Sequence, residues 1–111
     1  ALQPNFGGGN GDGWLLKLSP TGSQLAASYW GGAVYDQLYF IDTDEFGFPY
    51  VYGQSLATGN TWVSNVGWSQ PNSGMYVGKW NESLTQVEWS TVFGSVYPQG
   101  VPPCVRAFSN D

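Results

Sequence analysis

The sequence predicts an all-β fold of antiparallel, four-stranded units, with about one and a half units in 111 residues. Three observations predict it. The chain has 16 Gly and 7 Pro, which break it at short intervals. Between the breaks lie strand-forming residues, including 6 Trp, 7 Tyr and 6 Phe. This composition suits short strands with tight turns and suits helices badly. The third observation is an internal repeat.

The repeat is found by shifting the sequence by 62 residues, which aligns 10–38 with 72–100 without a gap. Eight of 29 positions are identical, where roughly two are expected by chance. The identical pairs are Asn10/Asn72, Lys17/Lys79, Gln24/Gln86, Ser28/Ser90, Gly32/Gly94, Val34/Val96, Tyr35/Tyr97 and Gln37/Gln99. Trp14/Tyr76 and Leu15/Val77 are conservative matches at apolar positions.

Strands follow in order along the first copy. The apolar run Gly13–Leu18 predicts a strand, and the Pro20-Thr21-Gly22 turn follows it. The other three predicted strands are Gln24–Trp30, Leu38–Ile41 and Pro49–Tyr52, all joined by hairpins into one antiparallel unit. The second copy predicts strands at Met75–Trp80 and Gln86–Phe93 and then breaks off.

These strands divide the chain into a first unit (1–54), a Ser/Gly/Asn-rich insertion (55–73) and an incomplete second unit (74–111). A four-stranded unit of this length has the size of a β-propeller blade. Blades bury their apolar faces against one another, so one and a half blades leave an apolar side uncovered. We therefore expect neighbouring blades, from the same or another chain, as partners.

The same residues resemble SBBP-type β-propeller repeats. Residues 11–22 (GDGWLLKLSPTG) are similar to the opening strand and turn of that family. Residues 28–32 (SYWGG) and 90–94 (STVFG) resemble its S-T-Y-L-G-G element, and 42–54 (DTDEFGFPYVYGQ) its V-D-S-x-G-N-x-Y-V-x-G-x-T element. The resemblance covers nearly the whole chain outside the insertion. Phe48 and Pro98 depart from the family pattern.

The residues of these motifs resemble those of large surface proteins of Bacteroidota. The resemblance implies a secreted or cell-surface protein, exported by type IX secretion and involved in adhesion or gliding motility. It also implies contact with the secretion or surface machinery. The chain begins with Ala1 rather than Met, which we interpret as a processed protein or a segment of a longer one.

Charge and residue types exclude several classes of function. Three basic residues against eight acidic ones cannot form the cationic face that nucleic acid requires. No apolar run approaches the roughly 20 residues of a membrane span. Histidine is absent, which removes the commonest general base and metal ligand, and no catalytic residue is predicted. Cys104 has no cysteine partner within this sequence, so a buried thiol or a bond to another chain remain its two interpretations.

One acidic cluster raises the question of a metal. Asp42, Asp44 and Glu45 alternate or adjoin before Gly47, as oxygen ligands around Ca²⁺ can. Phe46 stands where a third alternate acid would be, and no distant Glu follows. An acidic hairpin turn is the simpler interpretation, with a Ca²⁺ site as the alternative.

Two tryptophans raise the question of a sugar. Trp62 and Trp68 lie in the polar insertion, with Asn65 between them. Tryptophan beside amide side chains can hold a glycan by stacking and hydrogen bonding. An insertion folded back over a sheet edge would use the same rings for burial. We therefore expect a non-enzymatic structural or adhesion segment, with a carbohydrate-binding module or a subunit of a larger extracellular assembly as alternatives.

Overall fold

The computed structural model describes residues 1–70, 74–94 and 105–108. Within them the chain forms six β-strands and no helix. The strands are β1 (Gly13–Leu18), β2 (Gln24–Trp30), β3 (Asp36–Thr43), β4 (Pro49–Ser55), β5 (Met75–Trp80) and β6 (Val87–Phe93). All strand pairs are antiparallel. The predicted all-β class and the six strands are confirmed. No helix in these ranges could cross a membrane.

The strands lie in two sheets. β1 and β2 form a two-stranded sheet, and β3, β4, β5 and β6 form a four-stranded meander in that order. The prediction that the first four strands make one sheet is wrong, because the chain between β2 and β3 changes sheets and β4 pairs with β5 instead. The four-stranded sheet thus takes two strands from each copy of the repeat.

Turn chemistry explains the hairpin between β3 and β4. The Asp44 N–H donates to the carbonyl of Phe48, and the Gly47 N–H donates to the carbonyl of Asp44. Gly47 has φ +88°, a left-handed conformation that glycine adopts without a steric penalty. The sequence Asp44-Glu45-Phe46-Gly47 therefore ends β3 and begins β4.

The core lies between the two sheets. Its buried cluster consists of Leu15, Trp30, Val51, Tyr76, Trp80, Leu84 and Val92. Trp30 from the small sheet packs on Tyr76 of the large one, with ring centroids 4.4 Å apart. Trp80 is fully buried, and its Nε1–H donates to the Tyr76 hydroxyl over 3.1 Å. Trp30 of the small hairpin therefore packs against β5 of the large sheet.

The two hairpins β1–β2 and β5–β6 occupy corresponding positions in the 62-residue repeat. Each has a register irregularity at the same place, between Lys17 and Leu18 and between Lys79 and Trp80. Their registers nevertheless differ by one residue, because Gly13 is opposite Trp30 whereas Met75 is opposite Phe93. A one-residue slip reverses which face each side chain occupies. Trp30 in β2 and its repeat counterpart Val92 in β6 therefore both face the core. In the first strands of the two hairpins the faces are exchanged: Leu15 faces the core in β1, whereas Tyr76, the counterpart of Trp14, faces it in β5.

Candidate functional site

The acidic turn uses its carboxylates to hold the hairpin. Asp44 Oδ1 accepts the N–H groups of Phe46 and Phe48, each over 3.0 Å. Its Oδ2 accepts the Tyr50 hydroxyl over 3.2 Å and lies 3.8 Å from Lys79 Nζ. Desolvation alone would raise the pKa of Asp44, but these hydrogen bonds and Lys79 outweigh it and lower the pKa. Asp44 is therefore an ionised turn-forming residue.

Asp42 is engaged in the same way on the other side of the turn. Its Oδ2 accepts the Ala107 N–H over 2.8 Å and lies 3.5 Å from Arg106 Nε, and its Oδ1 accepts the Thr43 N–H. The Ala107 hydrogen bond, followed by the Thr43 bond and Arg106, lowers the pKa of Asp42. Glu45 is exposed. Within the described ranges no three His, Cys, Asp or Glu residues are grouped to hold a metal ion.

Trp62 packs into the structure. Its ring lies 4.8 Å from that of Trp30, centroid to centroid, at 40° between planes. Its Nε1–H donates to Ser55 Oγ over 3.0 Å, and its carbonyl accepts the Ser90 hydroxyl over 2.7 Å. One ring face and the polar edge of Trp62 are thus used to hold the insertion on the sheets.

Trp68 and Asn65 differ from Trp62 in exposure and in partners. Trp68 is 61% exposed, and its backbone carbonyl accepts the Thr91 hydroxyl over 2.7 Å. Asn65 has φ +55°, and its Nδ2 donates to the Glu88 carbonyl over 3.0 Å. The side-chain amide of Asn65 is therefore bonded to the backbone of β6. Of the three predicted sugar-contacting residues, Trp68 presents the largest open surface.

The insertion covers the outer edge of β6. Ser64 and Ser90 exchange both backbone hydrogen bonds, and the Gln70 N–H donates to the Val92 carbonyl. Residue Gln3 does the same for β2, because the Tyr29 N–H donates to the Gln3 carbonyl and the Gln3 N–H donates to Ser28 Oγ. The outer edges of β2 and β6 are therefore each capped by the segment that precedes their hairpin.

Beneath Trp62 lies a buried polar network that the sequence did not reveal. Ser55 Oγ accepts N–H groups from Ala57 and Trp62, each over 3.0 Å, and donates to Asp36 Oδ1. Asp36 is 2% exposed, and its Oδ2 accepts the Gly32 N–H over 2.7 Å. Burial raises the pKa of Asp36 despite these hydrogen bonds. The network ties β3, β4, the insertion and the β2–β3 connection together.

The outward side of β1 carries a row of exposed apolar side chains. We call it the β1 flank and define it as Trp14, Leu16 and Leu18, which are 55%, 40% and 51% exposed. Beside it runs a groove between β1 and β3, lined by Trp14, Leu15, Leu38, Tyr39, Phe40, Ile41 and Val51. Ile41 is itself 54% exposed. Contiguous exposed apolar patches mark protein or membrane contact sites, ligand-binding grooves or aggregation-prone surfaces.

The repeat gives each flank residue a counterpart in β5. Trp14, Leu16 and Leu18 correspond to Tyr76, Gly78 and Trp80, all of which are buried. Gly78 is needed in β5, because a Cβ there would collide with the Tyr76 hydroxyl. The same repeat positions are thus covered in one hairpin and open in the other. Sequence analysis placed Trp14 in a strand but did not identify which face would stay open.

The comparisons with known proteins were negative. A scan of protein-family models, a search of curated proteins and a search of solved structures each found no match. The fold and the open β1 flank define the class of this chain: an all-β protein of paired antiparallel hairpins with an uncovered apolar face.

Proposed function

We infer that this chain is a non-enzymatic structural or adhesion segment of a secreted or cell-surface repeat protein, built from β-propeller-like blades. The observation that carries the proposal is the β1 flank, whose repeat counterparts are buried by a neighbouring hairpin. In this function the flank lies against another blade of the same or another chain, and the loops are presented to a partner. The secreted location, type IX export and a role in adhesion or gliding come from the sequence resemblance.

The energetics favour a covered flank. Fully burying an exposed Leu side chain contributes about 1.5–3 kcal/mol, and Trp14, Leu16 and Leu18 have 55%, 40% and 51% of their surface still exposed. Three such residues side by side provide a driving force for association that scattered exposed residues do not. The polar chemistry points the same way. Asp42 and Asp44 are bound by N–H donors and a cation, so they are structural acids rather than a facing pair of catalytic carboxylates.

The proposal is tested with Trp14→Thr, Leu16→Thr and Leu18→Thr combined. Threonine keeps the preference for a strand and removes most of the apolar surface. We expect the native chain to self-associate in sedimentation experiments and to bind a hydrophobic dye, and the triple variant to lose most of both. A matched control replaces two exposed aromatics elsewhere, Phe6→Ser and Phe46→Ser, and should behave like the native chain. Equal association and dye binding in both variants would overturn the proposal.

A second candidate function, glycan binding, is supported by the exposure of Trp68. An open indole on a polar loop can stack on a sugar ring. Trp68→Ala should abolish binding on a glycan array without changing the unfolding temperature. Trp62→Ala is the less direct test, because Trp62 packs on Trp30 and its loss should also destabilise the fold. An array without any signal for the native chain would eliminate this candidate.

A further inference from the structure

The small sheet carries apolar side chains on both of its faces. One face packs on the core. On the other face the register places Trp14 opposite Tyr29 and Leu16 opposite Ala27, and directly opposite residues lie on one side of a sheet. We call this side the outer face and define it as the β1 flank together with Ala27 and Tyr29. An antiparallel sheet with one face towards water normally carries polar residues there, and this outer face has no charged residue.

The repeat explains how the outer face lost its charge. In the hairpin β5–β6, Tyr76 and Trp80 face the core, so Lys79 lies on the other face. The one-residue difference in register exchanges the faces of β1 relative to β5. Lys17, the counterpart of Lys79, therefore lies on the core-facing side of β1, where its Nζ donates to the Glu82 carbonyl over 3.3 Å. The same exchange turns the apolar positions of β1 outward.

The charge of the chain indicates which partner suits this face. Two copies of the chain each carry a net charge of −5 and repel one another over much of their surfaces. The acid nearest to the start of β1, Asp12, is turned away, because its Oδ2 accepts the Gly7 N–H over 2.6 Å and its Oδ1 is buried. The outer face is therefore a surface on which two copies can meet without bringing like charges together.

We propose that the occupant of the outer face is a second copy of this chain, packed outer face to outer face about a two-fold axis. This inference rests on the proposed function and names the partner. Leu16 lies in the middle of the face, between Trp14 and Leu18 along β1 and opposite the small side chain of Ala27. A residue at a two-fold axis meets its own copy. Leu16 therefore lies against the partner's Leu16, and Trp14 lies towards the partner's Leu18.

The open surface is large enough for such an interface. Phe6 extends the outer face, since its ring lies edge-on to that of Tyr29 with centroids 6.3 Å apart, and Phe6 is 54% exposed. Ile41, which is also 54% exposed, adjoins the face through a groove that Leu16 lines as well. These residues and the β1 flank expose about 500 Å² per copy, on side-chain surfaces of about 150–250 Å². Two copies together bury about 1,000 Å², at the lower end for specific interfaces, which fits a dimer that dissociates on dilution.

The experiment places charges at the proposed axis of the full chain. Sedimentation equilibrium of the native chain should show a reversible dimer with twice the mass of 12.1 kDa. Leu16→Glu and Leu16→Lys should each raise the dissociation constant by about a hundredfold or more, because each sets two like charges against one another. Mixed in equal amounts, the two variants should form a heterodimer, because Glu then faces Lys. A mere loss of apolar surface would not be rescued by mixing.

The matched controls are Phe46→Glu and Phe46→Lys, at an exposed residue of the β3–β4 turn, and both should dimerise like the native chain. Circular dichroism checks that the Leu16 variants keep the fold. A native chain that is monomeric at every concentration, Leu16 variants that dimerise alone, or a mixture that stays monomeric would each overturn the inference. If the native chain is monomeric but loses dye binding in the triple-threonine variant, the second copy is refuted and the proposed function stands. Association and dye binding that both persist in that variant would overturn both.

Discussion

The hairpins β1–β2 and β5–β6 share a repeat but differ in what their first strands touch. In β5 the positions of Tyr76 and Trp80 are almost completely buried, at 1% and 0% exposure. In β1 the corresponding Trp14 and Leu18 are more than half exposed. The residue types are apolar in both. Burial at these positions is therefore set by the neighbouring element and by the register, and not by the strand's own sequence.

The largest expected effect is on the free energy of unfolding, through packing of the core. Trp80→Ala should reduce the free energy of unfolding by about 3–5 kcal/mol, because it empties a core position between the sheets. Leu18→Ala, at the corresponding place in β1, should change it by less than about 0.5 kcal/mol. Chemical denaturation of the two variants measures both values. Similar losses would mean that the β1 flank is already covered in the isolated chain.

The buried network predicts the next largest effect. Ser55 accepts two N–H groups and so must donate its own hydrogen to Asp36, while Asp36 also accepts from Gly32. In Asp36→Asn, one orientation of the side-chain amide places its NH2 group against the Ser55 hydroxyl hydrogen. The other orientation places the NH2 group against the Gly32 N–H. We expect a loss of about 1–3 kcal/mol for the unsatisfied group. Glu45→Gln, at an exposed acid, is the control and should be neutral. A neutral Asp36→Asn would contradict the network.

The capped edges predict a smaller effect of similar size in both hairpins. Ser28→Ala removes the acceptor of the Gln3 N–H, and Ser90→Ala removes the donor to the Trp62 carbonyl. Each should cost about 1 kcal/mol. Faster hydrogen exchange should be confined to the hairpin that carries the substitution. Exchange that increases in both hairpins would show that the caps are not independent.

The Tyr76 hydroxyl predicts a loss of folding stability at alkaline pH that is absent at neutral pH. Burial raises the pKa of Tyr76 from 10.0 to about 12. The folded state therefore holds this proton where the unfolded state has released it. The stabilisation is complete below pH 10.0 and is lost as the pH rises towards about 12. The free energy of unfolding of Tyr76→Phe should fall less steeply with rising pH than that of the native chain; an unchanged slope would contradict the assignment.

Part of the candidate site was predictable. The acidic turn could be predicted because Asp44 and Gly47 are turn residues with a local mechanism. That the Trp62 ring would pack on Trp30 could not, because the contact joins residues 32 positions apart across two sheets. Sequence reasoning left burial and sugar binding open for Trp62 and Trp68. The structure uses Trp62 for packing and leaves Trp68 exposed. The Asp36–Ser55 network gave no signal, since the two residues are 19 positions apart and belong to no sequence motif.

Sequence alone was enough to locate the strands, the repeat and the hairpins β1–β2, β3–β4 and β5–β6, because periodic apolar runs and turn residues act over a few positions. The pairing of β4 with β5, and the inward Leu15 and outward Trp14 of β1, became visible only in the folded structure. A gapless repeat cannot specify this. Cross-strand register depends on how two strands meet, and a slip of one residue exchanges the faces of every side chain.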